Sequence, residues 1–125
     1  MNILLAEDEP NIATIAVMTL ETLGGHTVTH VDDGQKAHDE ALAGKYDLII
    51  LDEMMPKMNG IEVCKSLIQN NLMTPIIFMS AKSQASDVTL FESIGTGYIP
   101  KPFEPSTLND KINEILFGSK ESNAA

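Results

Sequence analysis

The residues best suited to chemistry are acids, one hydroxyl and one lysine, each standing where a short apolar run stops. Glu7, Asp8 and Glu9 follow "ILLA", Asp52 follows "DLIIL", Ser80 follows "PIIFM", and Lys101 stands in "PKPF" after "GYIP". Carboxylates crowded together raise one another's pKa unless a cation balances them. Glu7, Asp8 and Asp52 bring hard oxygen donors with no histidine or cysteine ligand beside them, a set that suits Mg²⁺, with Mn²⁺ as a substitute. A metal held there attracts phosphate. Asp52 can then act as a nucleophile and form an acyl phosphate. The metal and the Lys101 ammonium would stabilise the transferring phosphoryl oxygens, and the Ser80 hydroxyl can donate to one of them. Each residue also has a plainer role. The acids at 7–9 suit a helix N-terminus, Asp52 suits a turn, Ser80 suits a helix cap, and Lys101 can lie along the surface with its ammonium in water.

These residues meet only if the chain folds to bring strand ends together. The runs 2–6, 27–31, 47–51, 75–79 and 97–100 read as strands, three of them apolar on both faces, as in a sheet covered above and below. Amphipathic stretches lie between them. Ile12, Ile15, Ala16, Thr19 and Leu23 are expected on one helical face that ends at Gly24–Gly25. Asn59 and Glu62 form a capping box before Ile61, Val63, Leu67 and Ile68. Pro105 opens a last helix carrying Leu108, Ile112, Ile115 and Leu116, and Gly118 ends it. Asp32 and Asp33 read as turn residues. The pattern is βα repeated five times, which favours an α/β doubly wound parallel sheet whose sites gather at the carboxyl edge.

The chain has 125 residues, 43% of them hydrophobic, enough for one domain with a real core. Its net charge is −10 and it contains no arginine. Direct nucleic-acid binding by this segment is therefore not expected, because phosphate neutralisation needs clustered basic residues. The opening apolar patch has no basic region before it, unlike a signal peptide. No apolar run is long enough to span a bilayer. The lone cysteine, Cys64, reads as a small buried apolar residue, and cysteine usage fits a cytoplasmic setting. His26, His30 and His38 have no metal spacing and are expected in structural roles in the second strand and helix. Residues 1–118 form the expected domain, with 119–125 a disordered tail or the start of a linker.

With these residues in place, the sequence resembles the response-regulator receiver domains of two-component signalling. Four motifs carry the resemblance, in order: "LLAEDEP", "DLIILDEMMPKMNG", "FMSAK" and "GYIPKPF", over roughly residues 2–117. It implies a flavodoxin-like receiver fold, a five-stranded parallel sheet in the order 2-1-3-4-5. It implies Asp52 as phosphoacceptor, and Mg²⁺ bound by Asp8, Asp52, the Met54 backbone carbonyl and Glu7, the last directly or through water. It implies Ser80 as the hydroxyl that moves toward the phosphoryl group, Lys101 as the partner of Asp52 and then of the phosphoryl oxygen, and Tyr98 as the switch aromatic. It further implies a cis bond before Pro102. Two departures stand out. Serine replaces the commoner threonine at position 80, and "ESIGTGY" is about one residue short of the usual spacing. Met54 and Lys82 stand where this family tunes dephosphorylation.

The function implied is a phosphoacceptor switch that takes its phosphoryl group from a sensor histidine kinase or a histidine phosphotransfer protein. It is not an enzyme beyond its own phosphorylation and dephosphorylation. A downstream protein or effector domain would read the face made by helix 4, strand 5 and helix 5. That face is sparsely charged, so a monomer is expected without phosphate, with any dimer reserved for the phosphorylated form. The alternatives are a pseudo-receiver that acts as an interaction module, a flavin carrier, and an aspartate-nucleophile phosphatase. The complete set Glu7, Asp8, Asp52, Ser80 and Lys101 argues against the first. "EDEP", where a phosphate loop would be needed, argues against the second. Glu9 and Pro10 after Asp8, where a second aspartate would stand, argue against the third.

Overall fold

A computed structural model of the chain describes residues 1–118. The elements run β1 (Asn2–Ala6), α1 (Pro10–Met18), a π-helical turn (Thr19–Leu23), β2 (Thr27–Val31), α2 (Gly34–Ala43), β3 (Leu48–Asp52), α3 (Gly60–Gln69), β4 (Ile76–Ser80), α4 (Ala85–Ile94), β5 (Gly97–Pro100) and α5 (Pro105–Phe117). The strands form one parallel sheet in the order β2-β1-β3-β4-β5, as expected.

Alternation along each strand divides the core into two layers, because successive side chains leave a strand on opposite faces. Leu4, Ile49, Leu51 and Phe78 pack under α2, α3 and α4, against Ala37, Val63, Leu67 and Phe91. Ile3, Leu5, Ile50 and Ile77 pack under α1 and α5, against Ala16, Leu20, Leu108 and Ile112. Full burial of each large aliphatic side chain contributes about 1.5–3 kcal/mol. That explains why β1, β3 and β4 carry almost no polar residue before their last position.

Helix ends follow the local chemistry. Asn59 and Glu62 close the expected capping box on α3, at 2.8 and 2.9 Å. Asp33 caps α2 by accepting from the Lys36 amide at 2.7 Å. Gly118 ends α5 at φ 83°, a conformation open to glycine. The Lys101–Pro102 bond is cis.

Four expectations need correction. Ile15 and Leu23 are 47% and 67% exposed, and the buried positions are Ala13, Ala16, Thr19 and Leu20. The first helix is apolar nearly all round, so spacing alone does not select its inner face. The wider π turn then rotates its last residues away from the α-helical phase. On α3, Ile68 is half exposed, and Cys64 takes the buried place beside Val63 and Leu67. Strands β3 and β4 each end one residue later than expected, because the Glu53 amide donates to Met79 O and the Lys101 amide to Ser80 O, extending the ladder. Asp52 and Ser80 are thus the last strand residues rather than the first loop residues. His26 precedes β2 and meets the amino terminus at 3.0 Å. The expectation for 119–125 lies outside the described residues.

Candidate functional site

The carboxyl edge of the sheet holds the site. Glu7 follows β1, and its amide donates to Val31 O at 3.0 Å, while its carbonyl accepts from His30 Nε2 at 2.8 Å. Those two bonds turn the chain so that the Glu7 side chain goes inward, where it is 1% exposed. Asp8, next in the chain, stays exposed. Glu9 turns away as the cap of α1, accepting from the Asn11 amide at 2.9 Å. Three adjacent acids thus take three different environments.

Asp52 reaches the same edge from the central strand β3 and is 6% exposed. Gly60 makes the return of the chain possible here, since a Cβ on it would lie 2.5 Å from Asp52 O. Among the described residues, Glu7, Asp8 and Asp52 form the one group with carboxylate oxygens close enough to share a metal, all within 4.8 Å. Lys101 enters from β5. Its Nζ lies 2.6 Å from Glu7 Oε1 and 3.1 Å from Asp52 Oδ1. The lysine expected beside Asp52 is therefore shared, and it sits nearer Glu7.

Burial and the Glu7 charge push Asp52 up to about 7, against the pull of Lys101. Burial works to lower the Lys101 pKa, but its bonds to Glu7 and Asp52 outweigh that and hold it raised. Two buried carboxylates face one ammonium, and the cluster carries excess negative charge. Glu7 Oε1 is buried, and the partner it meets is the Lys101 ammonium. An all-oxygen donor set with unbalanced negative charge and an open side at Asp8 fits a hard divalent cation such as Mg²⁺.

Ser80 ends β4 and is 3% exposed. Its Oγ accepts from the Lys82 amide at 3.0 Å. Tyr98 lies in β5 with its ring stacked on Phe91, centroids 5.3 Å apart, and its hydroxyl donates toward Lys82 O at 2.9 Å and Ser80 O at 3.3 Å. Met54 is 66% exposed at the rim of a cavity of about 370 Å³ that Asp8, Glu53, Asn59 and Lys82 also line. Glu53 was not singled out from the sequence. It is 6% exposed, and its Oε1 lies 3.3 Å from Lys82 Nζ. Only its place directly after Asp52 could have marked it.

Comparison with known proteins identifies this arrangement. The family description "Response regulator receiver domain" matches residues 3–113. The chain belongs to that family, the receiver domains of two-component response regulators. It is 42% identical over 115 residues to the alkaline phosphatase synthesis transcriptional regulatory protein PhoP of Bacillus subtilis, covering 91% of this chain and 48% of that protein. It is 42% identical over 116 residues to the response regulator ArlR of Staphylococcus haemolyticus, covering 92% of this chain and 52% of that protein. The chain thus spans about half the length of these relatives. Among solved structures, the chemotaxis response regulator CheY4 of Vibrio cholerae superposes with a TM-score of 0.85 at 28% identity, covering 92% of this chain and 98% of that one. The receiver domain of the Francisella response regulator 1452 superposes with a TM-score of 0.83 at 30% identity, covering 91% and 94%. No helix among the described residues is long and apolar enough to cross a membrane.

Proposed function

We propose that residues 1–118 act as a phosphoacceptor switch in which Asp52 takes a phosphoryl group from a histidine kinase or a histidine phosphotransfer protein. The observation that carries this reading is the shared lysine. One ammonium lies within 3.1 Å of Asp52 and 2.6 Å of Glu7, on an edge where three carboxylates converge. That is a pocket with a nucleophile, a fixed cation and room for a second one.

Glu7, Asp8 and Asp52, with the Met54 carbonyl, are the groups that would hold Mg²⁺. Bound there, the ion would offset the charge of the carboxylates and of the incoming phosphoryl oxygens. The chain's own residues do the rest. An Asp52 oxygen attacks phosphorus, the bond from phosphorus to the donor nitrogen breaks, and the imidazole leaves with a proton from solvent. Lys101 stays with Glu7 and exchanges its contact with Asp52 Oδ1 for one with a phosphoryl oxygen. Ser80 donates its hydroxyl to another oxygen. The loop it leaves and Tyr98 then settle differently, which alters the surface of α4, β5 and α5 for a partner or an attached effector domain. The setting is cytoplasmic, the resting form is a monomer, and this segment does not itself contact nucleic acid.

The test is intact mass after incubation with Mg²⁺ and a small acyl phosphate. The protein should gain one phosphoryl group, Asp52→Asn should gain none, and chelation of the metal should prevent the gain. A native protein left unmodified by both a small donor and its cognate kinase overturns the reading.

A further inference from the structure

Glu53 is a buried carboxylate that the phosphoryl transfer leaves without a task. Its backbone is fixed at both ends, the amide donating to Met79 O at 3.1 Å and the carbonyl accepting from the Gly60 amide at 2.8 Å. Its Oε1 makes no hydrogen bond, and what it meets is the Lys82 ammonium at 3.3 Å. A buried carboxylate costs free energy unless a charge balances it, so Glu53 holds Lys82 where it is.

Lys82 belongs to the loop between β4 and α4, and it has two more ties. Its amide donates to Ser80 Oγ at 3.0 Å, and its carbonyl accepts from the Tyr98 hydroxyl at 2.9 Å. One residue therefore joins the Ser80 hydroxyl, the aromatic of β5 and an anchor on the central strand. The helix that follows this loop has no side-chain cap, since Gln84 makes no such bond. The loop is tied at Lys82 and loosely held beyond it.

We propose that Glu53 is a positioning residue: through its ion pair with Lys82 it holds the β4–α4 loop in the arrangement that keeps the Ser80 hydroxyl on the Lys82 amide. The consequence for reactivity rests on the phosphoacceptor reading. Moving Ser80 Oγ toward Asp52 stretches the bond to the Lys82 amide unless the loop follows. A loop pinned by Glu53 follows less readily, so the pair favours the resting form and restrains phosphorylation.

The test compares the native chain, Glu53→Gln, Lys82→Met and the double variant, first without phosphodonor. Hydrogen exchange at the residue 82 amide reads the resting loop. Each single variant should lower its protection about threefold, the size expected for a half-exposed ion pair, and the double variant no further. With Mg²⁺ and a small acyl phosphate, Glu53→Gln should speed phosphorylation about threefold in the native background and leave the rate unchanged on Lys82→Met. Unchanged protection in Glu53→Gln overturns the proposal. So does a rate gain that persists on Lys82→Met, because the lost carboxylate would then act on the donor through its field alone. A native chain that takes no phosphoryl group would overturn the phosphoacceptor reading, while the exchange data would still decide the anchor.

Discussion

Helices α3 and α4 flank neighbouring strands, yet they are held very differently. α3 starts at a complete capping box and buries Gly60, Val63, Cys64 and Leu67. Burial pushes the Cys64 thiol up to about 11, which keeps it a neutral packing group. α4 has the same ten-residue length, starts without a side-chain cap, and buries only Phe91. The loop leading into α3 carries the backbone around Asp52, and the loop leading into α4 carries Lys82. The α3 side, whose loop carries the backbone around Asp52, is capped and packed, and the α4 side, whose loop carries Lys82, is tied by a few polar contacts.

The largest expected effect lies at the carboxyl edge between the two, where β5 brings Lys101 to Glu7 and Asp52. Lys101→Met leaves two buried carboxylates facing each other without a countercharge. It should lower stability by about 3–5 kcal/mol in chelator, measured by denaturant unfolding, because removing one partner of a buried pair strands the other. A loss below about 1 kcal/mol would mean that water already screens this edge.

Asp52→Asn should act in the opposite direction. Burial and Glu7 raise the Asp52 pKa in the folded chain above its unfolded value of 3.8, to about 7. For such a group, the favourable contribution is complete below the unfolded value and is lost as pH rises through the folded one. The native chain therefore gives up stability between about pH 4 and pH 7 that the asparagine variant keeps. In metal-free buffer at pH 7, Asp52→Asn should be more stable by about 2 kcal/mol, roughly half of what the full displacement would give because solvent screens this open edge, with the gap closing toward pH 4. An equal gap at both pH values would remove the electrostatic account.

Two smaller effects sharpen the contrast between the helices. Amides in the middle of α4 should exchange about tenfold faster than those in the middle of α3, a difference of about 1.4 kcal/mol in opening free energy. Equal protection would make α4 part of the rigid frame. Asn59→Ala should cost about 1 kcal/mol, since it removes the acceptor for the Glu62 amide. Its effect on exchange should be confined to α3.

Much of this was legible in the residues. The five-fold βα order, the cap at Asn59, the stop at Gly118 and the acids and lysine at strand ends follow from local rules of period, capping and turn chemistry. The acids at 7–9 all suit a helix start, and Glu9 is the one that caps α1. The inner face of α1 was not legible, because a helix apolar nearly all round offers little contrast from which to choose. Nor was Glu53, because a charged residue beside a strand end ordinarily reads as solvated.

The sequence by itself determined which groups are available at the carboxyl edge and the order in which the chain delivers them, because strand ends and helix starts are set within a few residues. Only the tertiary structure decided their partners. It set Lys101 nearer Glu7 than Asp52, left Asp8 outside, and buried Glu53 against Lys82. Pairing and desolvation depend on distances between segments far apart in the chain. A parallel sheet fixes those distances only when its strands have taken their places.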